Sequence, residues 1–141
     1  MALIQHPESA VVLAHDDEEV VLVRQTRPGA TGTTLELPAG CLENGETPDE
    51  AAVRELEEEC GLAAGVWRPL GSFWAAPEYS TERVHVFEAT KLLQVGSPRL
   101  DADEDLVVER LPLRGVIGRL SDGGSLAALA LWIAAEELPT S

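Results

Sequence analysis

GCLENGETPDEAAVRELEEECGL, residues Gly40 to Leu62, is the stretch on which the chain turns. Its second half carries Arg54-Glu55-Leu56-Glu57-Glu58-Glu59. At roughly 100° per residue, Ala52, Val53, Leu56 and Cys60 fall on one side as an apolar stripe, which predicts a helix. Glu55, Glu58 and Glu59 gather on the adjacent side at i, i+3 and i+4, while Glu57 turns away across the stripe. Carboxylates so placed repel one another by about a few tenths of a kcal/mol per i,i+4 pair even when exposed. They also occupy the second half of the helix, where the macrodipole disfavours anions. A hard, oxygen-seeking cation relieves both penalties, and Mg²⁺ is typically held by a few carboxylates together with substrate phosphates. The competing reading of the run is a solvated acidic face.

The flanking residues favour the cation. Thr47-Pro48-Asp49-Glu50 reads as a capping box with proline at the first helical position, and Gly61 is placed to end the helix in a left-handed cap. Ahead of the box, Leu37-Pro38-Ala39-Gly40 leads into a loop containing Asn44-Gly45. A strand, a tight loop and a sharply bounded acidic helix together make a device for holding a metal–phosphate complex.

Gly40, Glu46, Arg54, Glu55, Leu56, Glu58, Glu59, Gly61 and Leu62 match every fixed position of the Nudix box, G-x5-E-x7-R-E-U-x-E-E-x-G-U, with U an aliphatic residue. The chain therefore resembles the Nudix hydrolases. The resemblance implies an α/β fold, an α/β/α sandwich with a mixed β-sheet between helices, and cleavage of a nucleoside diphosphate linked to another group with Mg²⁺ or Mn²⁺. Carried over residue by residue, Glu55 and Glu59 are the implied principal metal ligands, with Glu58 close by and the Ala39 carbonyl as a further ligand. Arg54 is implied to orient those carboxylates, which its i,i+4 spacing to Glu58 independently allows. Glu46 is expected to brace the loop or reach a metal through water.

The substrate has to come from outside the box. Glu36-Leu37-Pro38-Ala39-Gly40 resembles the form found in the ADP-ribose and nucleoside diphosphate sugar branch, and Val23-Arg24-Gln25-Thr26-Arg27 is similar to that branch's arginine-bearing strand end. Arg27 and Glu36 are the implied substrate-binding residues, Arg27 as a forked donor to phosphate or sugar oxygens; a surface arginine is the alternative. Pro77 and Ser80-Thr81-Glu82-Arg83 resemble the branch's catalytic loop, which makes Glu82 the implied base, although Glu78 stands where glycine is common. Phe73, Trp74 and Tyr79 are candidates to stack on a base or to join the core. His6 and His15 carry no site signal, and His85 reads as structural. Other Nudix reactions, on dinucleoside polyphosphates or damaged nucleoside triphosphates, stay open, as does a nucleotide-sensing module. A sensor would be expected to lose acidic ligands that are all present here.

Composition bounds the rest. At 141 residues and 45% hydrophobic content, the chain reads as a single Nudix domain, 1–141, with a sizeable core. A formal net charge of −15 argues against nucleic acid and anionic membranes as partners, since there is no basic footprint. The expected partner is a small-molecule nucleoside diphosphate, received by bound cations and a few local arginines. Cys41 and Cys60 show neither metal-ligand nor redox spacing and are expected to pack in a reducing cytoplasm. The apolar stretch Leu126 to Ala135 is too short to span a bilayer.

Taken in order, Ser9 to His15 and Val20 to Thr26 flank an acidic turn and read as a hairpin. Leu35 to Leu37 reads as a strand delivering the box, Val66 to Trp74 as a strand with a bulge at Pro69-Leu70-Gly71, and Arg83 to Thr90 as an alternating strand. An acidic connection from Asp101 to Asp105 precedes a strand from Leu106 to Arg110. A short helix is expected over about Leu113 to Leu120, and a final, nearly all-apolar helix capped by Ser125 runs to about Leu138. That helix is expected between sheet and neighbouring elements, with a subunit interface as the alternative. The branch's additional N-terminal strands are missing from this sequence, so its dimer geometry does not transfer and a homodimer remains open.

Overall fold

The computed structural model describes residues 2–99 and 105–137. Seven strands and two helices run in the order β1 (Ser9–Ala14), β2 (Glu19–Arg27), β3 (Gly32–Glu36), β4 (Ala39–Cys41), α1 (Pro48–Cys60), β5 (Leu62–Trp74), β6 (Arg83–Gln94), β7 (Val107–Pro112) and α2 (Gly123–Glu137). Single 3-10 turns at Pro28–Ala30 and Val116–Arg119 punctuate the connections.

The strands form two sheets. One has the order β4-β1-β6-β5 and is mixed, β1 and β6 being parallel; the other, β3-β2-β7, is antiparallel. β1 is buried along its whole length, and its alternation assigns the layers. Ala10, Val12 and Ala14 join Phe87 and Ala89 of β6 against Ala51, Ala52, Leu56 and Cys60 of α1. Val11 and Leu13 join Val84 and Val86 against Ala128 and Leu129 of α2. A helix therefore lies on each face of the mixed sheet, the α/β/α sandwich expected. β2 divides in the same manner, Val21 and Val23 to the first cluster and Val20 and Leu22 to the second. Burial of each such Val or Leu contributes about 1.5–3 kcal/mol.

Several sequence expectations are corrected. β1 and β2 make no hairpin: they belong to different sheets and are joined by the isolated His15–Val20 bridge. The tight turn between them is real, with Asp16 Oδ1 accepting from the Glu18 and Glu19 N–H groups at 3.0 and 2.8 Å. β1 instead takes β4 and β6 as partners, because both of its faces and both of its edges are needed at the centre of the sandwich. The bulge at Pro69/Gly71 is present, and β5 and β6 extend further than their alternation suggested. The predicted 113–120 helix is a 3-10 turn. Val53 is exposed while Glu55 and Glu59 are buried, so the helix faces the core with a more polar side than its apolar stripe implied.

The last helix begins before Ser125. Asp122 caps it, its carboxylate accepting from the Ser125 N–H at 3.0 Å. Ser125 Oγ is used elsewhere, accepting from the Leu37 N–H at 2.9 Å and tying α2 to the segment that precedes β4. Only one face of α2 is deeply buried, at Ser125, Ala128 and Leu129, and Ile133 is exposed. Its predicted end at Leu138, and most of the 101–105 connection, lie outside the described residues.

Candidate active site

α1 is fixed at both ends by local chemistry. Thr47 Oγ1 accepts from the Glu50 N–H at 3.2 Å while Glu50 Oε1 accepts from the Thr47 N–H at 3.0 Å, the reciprocal box that satisfies two free donors. At the other end Gly61 takes φ 70° and donates to the Glu57 carbonyl at 2.8 Å. A Cβ there would run into the Gly96 carbonyl, so glycine is required both by φ and by space.

The acidic face of α1 looks onto β4. A Cβ built on Gly40 would overlap the Glu55 carboxylate, which occupies the place a side chain would take. Glu55 and Glu59 are 9% and 7% exposed. Arg54 ties the group together. Its guanidinium donates to both Glu46 oxygens at 2.7 and 2.8 Å, to Glu55 Oε1 at 2.8 Å, to Glu58 Oε2 at 3.1 Å and to the Cys41 carbonyl at 3.1 Å. The Glu46 carboxyl is accordingly held down to about 2, by the Arg54 hydrogen bonds first. Glu46 also folds back on its own loop, accepting from the Glu43 N–H at 2.9 Å, so it braces that turn as expected.

Glu82 approaches from the opposite side, just before β6. Ser9 Oγ donates to its Oε2 at 2.5 Å, and His6 Nδ1 stands 3.8 Å from the same oxygen. The Cys41 thiol, at the surface between the two groups, is raised by desolvation first and then by the Glu82 and Glu55 charges. Cys41 is thus exposed rather than packed; Cys60 is buried, and burial pushes its thiol up to about 12.

Between these elements lies a cavity of about 1090 Å³, whose wall includes Ala39, Arg54, Glu55, Glu58, Glu59 and Glu82. Arg27 stands on the wall as well. Glu36 does not: it sits behind Arg27 and holds it by two bonds, 2.8 Å from Nε and 3.1 Å from NH2, while accepting from Thr34 Oγ1. Burial alone would raise the Glu36 carboxyl, but the Arg27 and Thr34 hydrogen bonds outweigh it and the net shift is downward. The sequence-derived site residues are therefore brought together, with Glu36 as the support of Arg27 rather than as a wall of the cavity.

Phe73 reaches the cavity wall, whereas Trp74 is 53% exposed and carries the Arg83 guanidinium over its ring at 4.5 Å. His85 pairs with Glu8 at 2.7 Å, and His15 is buried against Glu88 at 2.8 Å, both structural. Sequence reasoning missed His6, Ser9 and Asp122, which also border the cavity. His6 and Ser9 arrive through pairing with distant segments, and Asp122 as the cap of α2.

The donor set suits a hard cation. Buried Glu55, in the cradle left by Gly40, and buried Glu59 line the cavity together with Glu58, and Arg54 bonds to Glu55 and Glu58. Among the described residues no three His, Cys, Asp or Glu side chains are drawn together closely enough to hold a metal ion by themselves. Such an open set matches Mg²⁺, which keeps several waters and takes only one or two carboxylates plus substrate phosphates.

Comparison with known proteins agrees with this geometry. Residues 5–137 match the model of the NUDIX domain family, and the chain belongs to that family. It is 41% identical to an ADP-ribose pyrophosphatase of Bacillus subtilis over 108 residues, 76% of this chain and 58% of the relative. It is 34% identical to an ADP-ribose pyrophosphatase of Mycobacterium tuberculosis over 132 residues, 92% of this chain and 64% of the relative. A methanol dehydrogenase activator of Bacillus methanolicus is 36% identical over 79% of this chain and 60% of its own length. The chain thus spans about three fifths of the curated relatives it matches. The crystal structure of an ADP compounds hydrolase superposes with a TM-score of 0.75 at 27% identity, over 92% of this chain and 74% of that one. No helix among the described residues is long and apolar enough to cross a membrane.

Proposed function

We propose that this chain is a Nudix pyrophosphohydrolase that cleaves the diphosphate of ADP-ribose or a related nucleoside diphosphate sugar, giving AMP and ribose 5-phosphate. The observation that carries the reading is the cavity itself: a carboxylate wall braced by Arg54 on one side, with Arg27, held by Glu36, also on its wall. Its volume of about 1090 Å³ accommodates a nucleotide-sized ligand. The names of the ADP-ribose pyrophosphatase relatives support the substrate class. Residues 1–141 are read as one Nudix domain, acting in the cytoplasm.

Glu55, Glu59, Glu58 and the Ala39 carbonyl would hold Mg²⁺, or Mn²⁺ in its place. Bound there, the cation supplies charge neutralisation of the diphosphate and a lowered pKa for a coordinated water. Arg54 keeps the carboxylates in register, and its own guanidinium proton is secured by Glu46 first and then by Glu55. Glu82, held by Ser9, is positioned to accept the proton of the attacking water as general base. Arg27 presents its remaining donor edge to a phosphate or sugar oxygen, pre-ordered by Glu36.

A regulatory role is the second reading, favoured by the 36% identity to a methanol dehydrogenase activator. The intact carboxylate set weighs for catalysis. Incubating purified protein with Mg²⁺ and a panel of ADP-sugars, dinucleoside polyphosphates and nucleoside triphosphates decides between them. Turnover confined to ADP-sugars is the expected result; triphosphate or dinucleoside turnover alone overturns the substrate assignment. Tight nucleotide binding with no turnover supports the regulatory reading.

A further inference from the structure

Glu82 sits at the end of a loop that lacks regular structure of its own, and a base in such a place needs something to hold it. The loop closes on itself through the Ser80 N–H to the Ala76 carbonyl at 2.8 Å and the Ala75 N–H to the Glu82 carbonyl at 3.1 Å. Its outer edge is taken by the N-terminal segment. Ile4 bridges Ser80 in parallel, donating from its N–H to the Tyr79 carbonyl at 2.7 Å and accepting from the Thr81 N–H at 3.0 Å. His6 continues the pairing: its N–H donates to Thr81 Oγ1 at 2.8 Å, and that hydroxyl lies 3.3 Å from the His6 carbonyl. The segment and the loop are thus one stitched unit.

The His6 side chain comes out of this unit into the cavity. Nδ1 donates to the Pro7 carbonyl at 2.7 Å and lies 3.8 Å from Glu82 Oε2, the oxygen that also accepts from Ser9 Oγ. The arginines on the same wall are engaged elsewhere, Arg54 with the α1 carboxylates, Arg27 with Glu36 and Arg99 with Glu57. His6 is consequently the basic side chain that the fold sets beside Glu82.

We propose that His6 is a positioning residue for Glu82, holding the carboxylate toward the cavity through the stitched N-terminal segment, in a role that rests on the hydrolase reading above. It acts through Glu82 and leaves the binding surfaces of Arg27 and α1 untouched, so its loss lowers turnover rather than affinity.

Two measurements test this. In the metal-free protein at fixed pH, the NMR chemical shifts of the His6 ring read its proximity to Glu82. The Glu82→Gln variant is expected to move those ring signals, since Glu82 Oε2 lies 3.8 Å from Nδ1, while Glu57→Gln, on the outward side of α1, leaves them in place. In turnover with ADP-ribose and Mg²⁺, His6→Ala is expected to lower kcat about tenfold, a fraction of a general base's contribution. KM should stay within about twofold of wild type. His6→Asn, which keeps a donor near the Nδ1 position, should recover most of the rate. Unmoved His6 ring signals in Glu82→Gln, or a His6→Ala loss that falls in KM with no rescue by asparagine, overturns the proposal. Wild-type protein that turns over no ADP-ribose sinks the hydrolase reading instead, and the His6 ring shifts then decide the His6–Glu82 link by themselves.

Discussion

Replacing Gly40 with alanine is the smallest change that reaches the carboxylate wall. Gly40 has ordinary extended geometry in β4, with no positive φ, so the backbone accepts an L-residue and the effect is confined to the added methyl. That methyl would meet the Glu55 carboxylate, with Oε2 at 2.6 Å and its other atoms closer still. Reaching an ordinary contact of about 3.5 Å requires the carboxylate to retreat by about 1 Å. The retreat loosens its 2.8 Å bond to Arg54 and drives the side chain off its rotamer. Together these cost about 1–3 kcal/mol of stability, the usual range for overpacking. A displacement of that size at a reacting centre costs about 10² in rate. Gly40→Ala should therefore fold and melt a few degrees lower, while kcat with Mg²⁺ and ADP-ribose falls by about 10². Gly29→Ala, where a Cβ meets nothing within 4 Å, serves as the control. A Gly40→Ala protein with kcat within about twofold of wild type would show that the Glu55 position is irrelevant to turnover.

Two further outcomes follow from single residues. Glu82→Gln should lower kcat by about 10²–10⁴ while ADP-ribose still binds in Mg²⁺ by calorimetry; near-full kcat would put the base elsewhere, at Glu58 or Glu78. Glu88 is half-buried, which alone would raise its carboxyl, yet hydrogen bonds from His15, Trp132 and Arg68 lower it overall. A depressed folded pKa gives stability that is present above the unfolded value and lost as pH falls through the folded one. Glu88→Gln should thus be less stable than wild type by about 1–3 kcal/mol at pH 7, and urea midpoints of the two should converge as pH falls below about 4. Midpoints that stay equally far apart at low pH would contradict the assignment.

What the sequence made legible was local. Thr47, Pro48, Glu50 and Gly61 act on neighbours a few residues away, so the bounds of α1 could be read directly and are found as expected. The same holds for Arg54 and Glu58, one turn apart. Burial was less readable: hydrophobic periodicity assigned Val53 inward, because it gives no weight to carboxylates drawn toward a cavity floor. Pairing choices were the hardest. β1 could not be taken from a hairpin with β2 without knowing that β4 and β6 compete for its edges. Ser125 looked like a cap only because its real partner, the Leu37 N–H, is far away in the chain. His6 and Ser9 became visible as neighbours of Glu82 only once the N-terminal segment was seen alongside the 76–82 loop.

The central claim is that the buried side of α1, and not its acidity as such, performs the chemistry. Glu59 is buried on the cavity wall, whereas Glu57, two residues earlier, points outward to Arg99 at 3.4 Å. The direct test is release of AMP and ribose 5-phosphate from ADP-ribose in Mg²⁺ by the folded Glu59→Gln and Glu57→Gln proteins, each with Mg²⁺ affinity measured in parallel. Glu59→Gln is expected to lose turnover and metal affinity together, and Glu57→Gln to match wild type, with stability changed by no more than about half a kcal/mol. Equal losses in the two variants, or full activity in Glu59→Gln, would contradict the account.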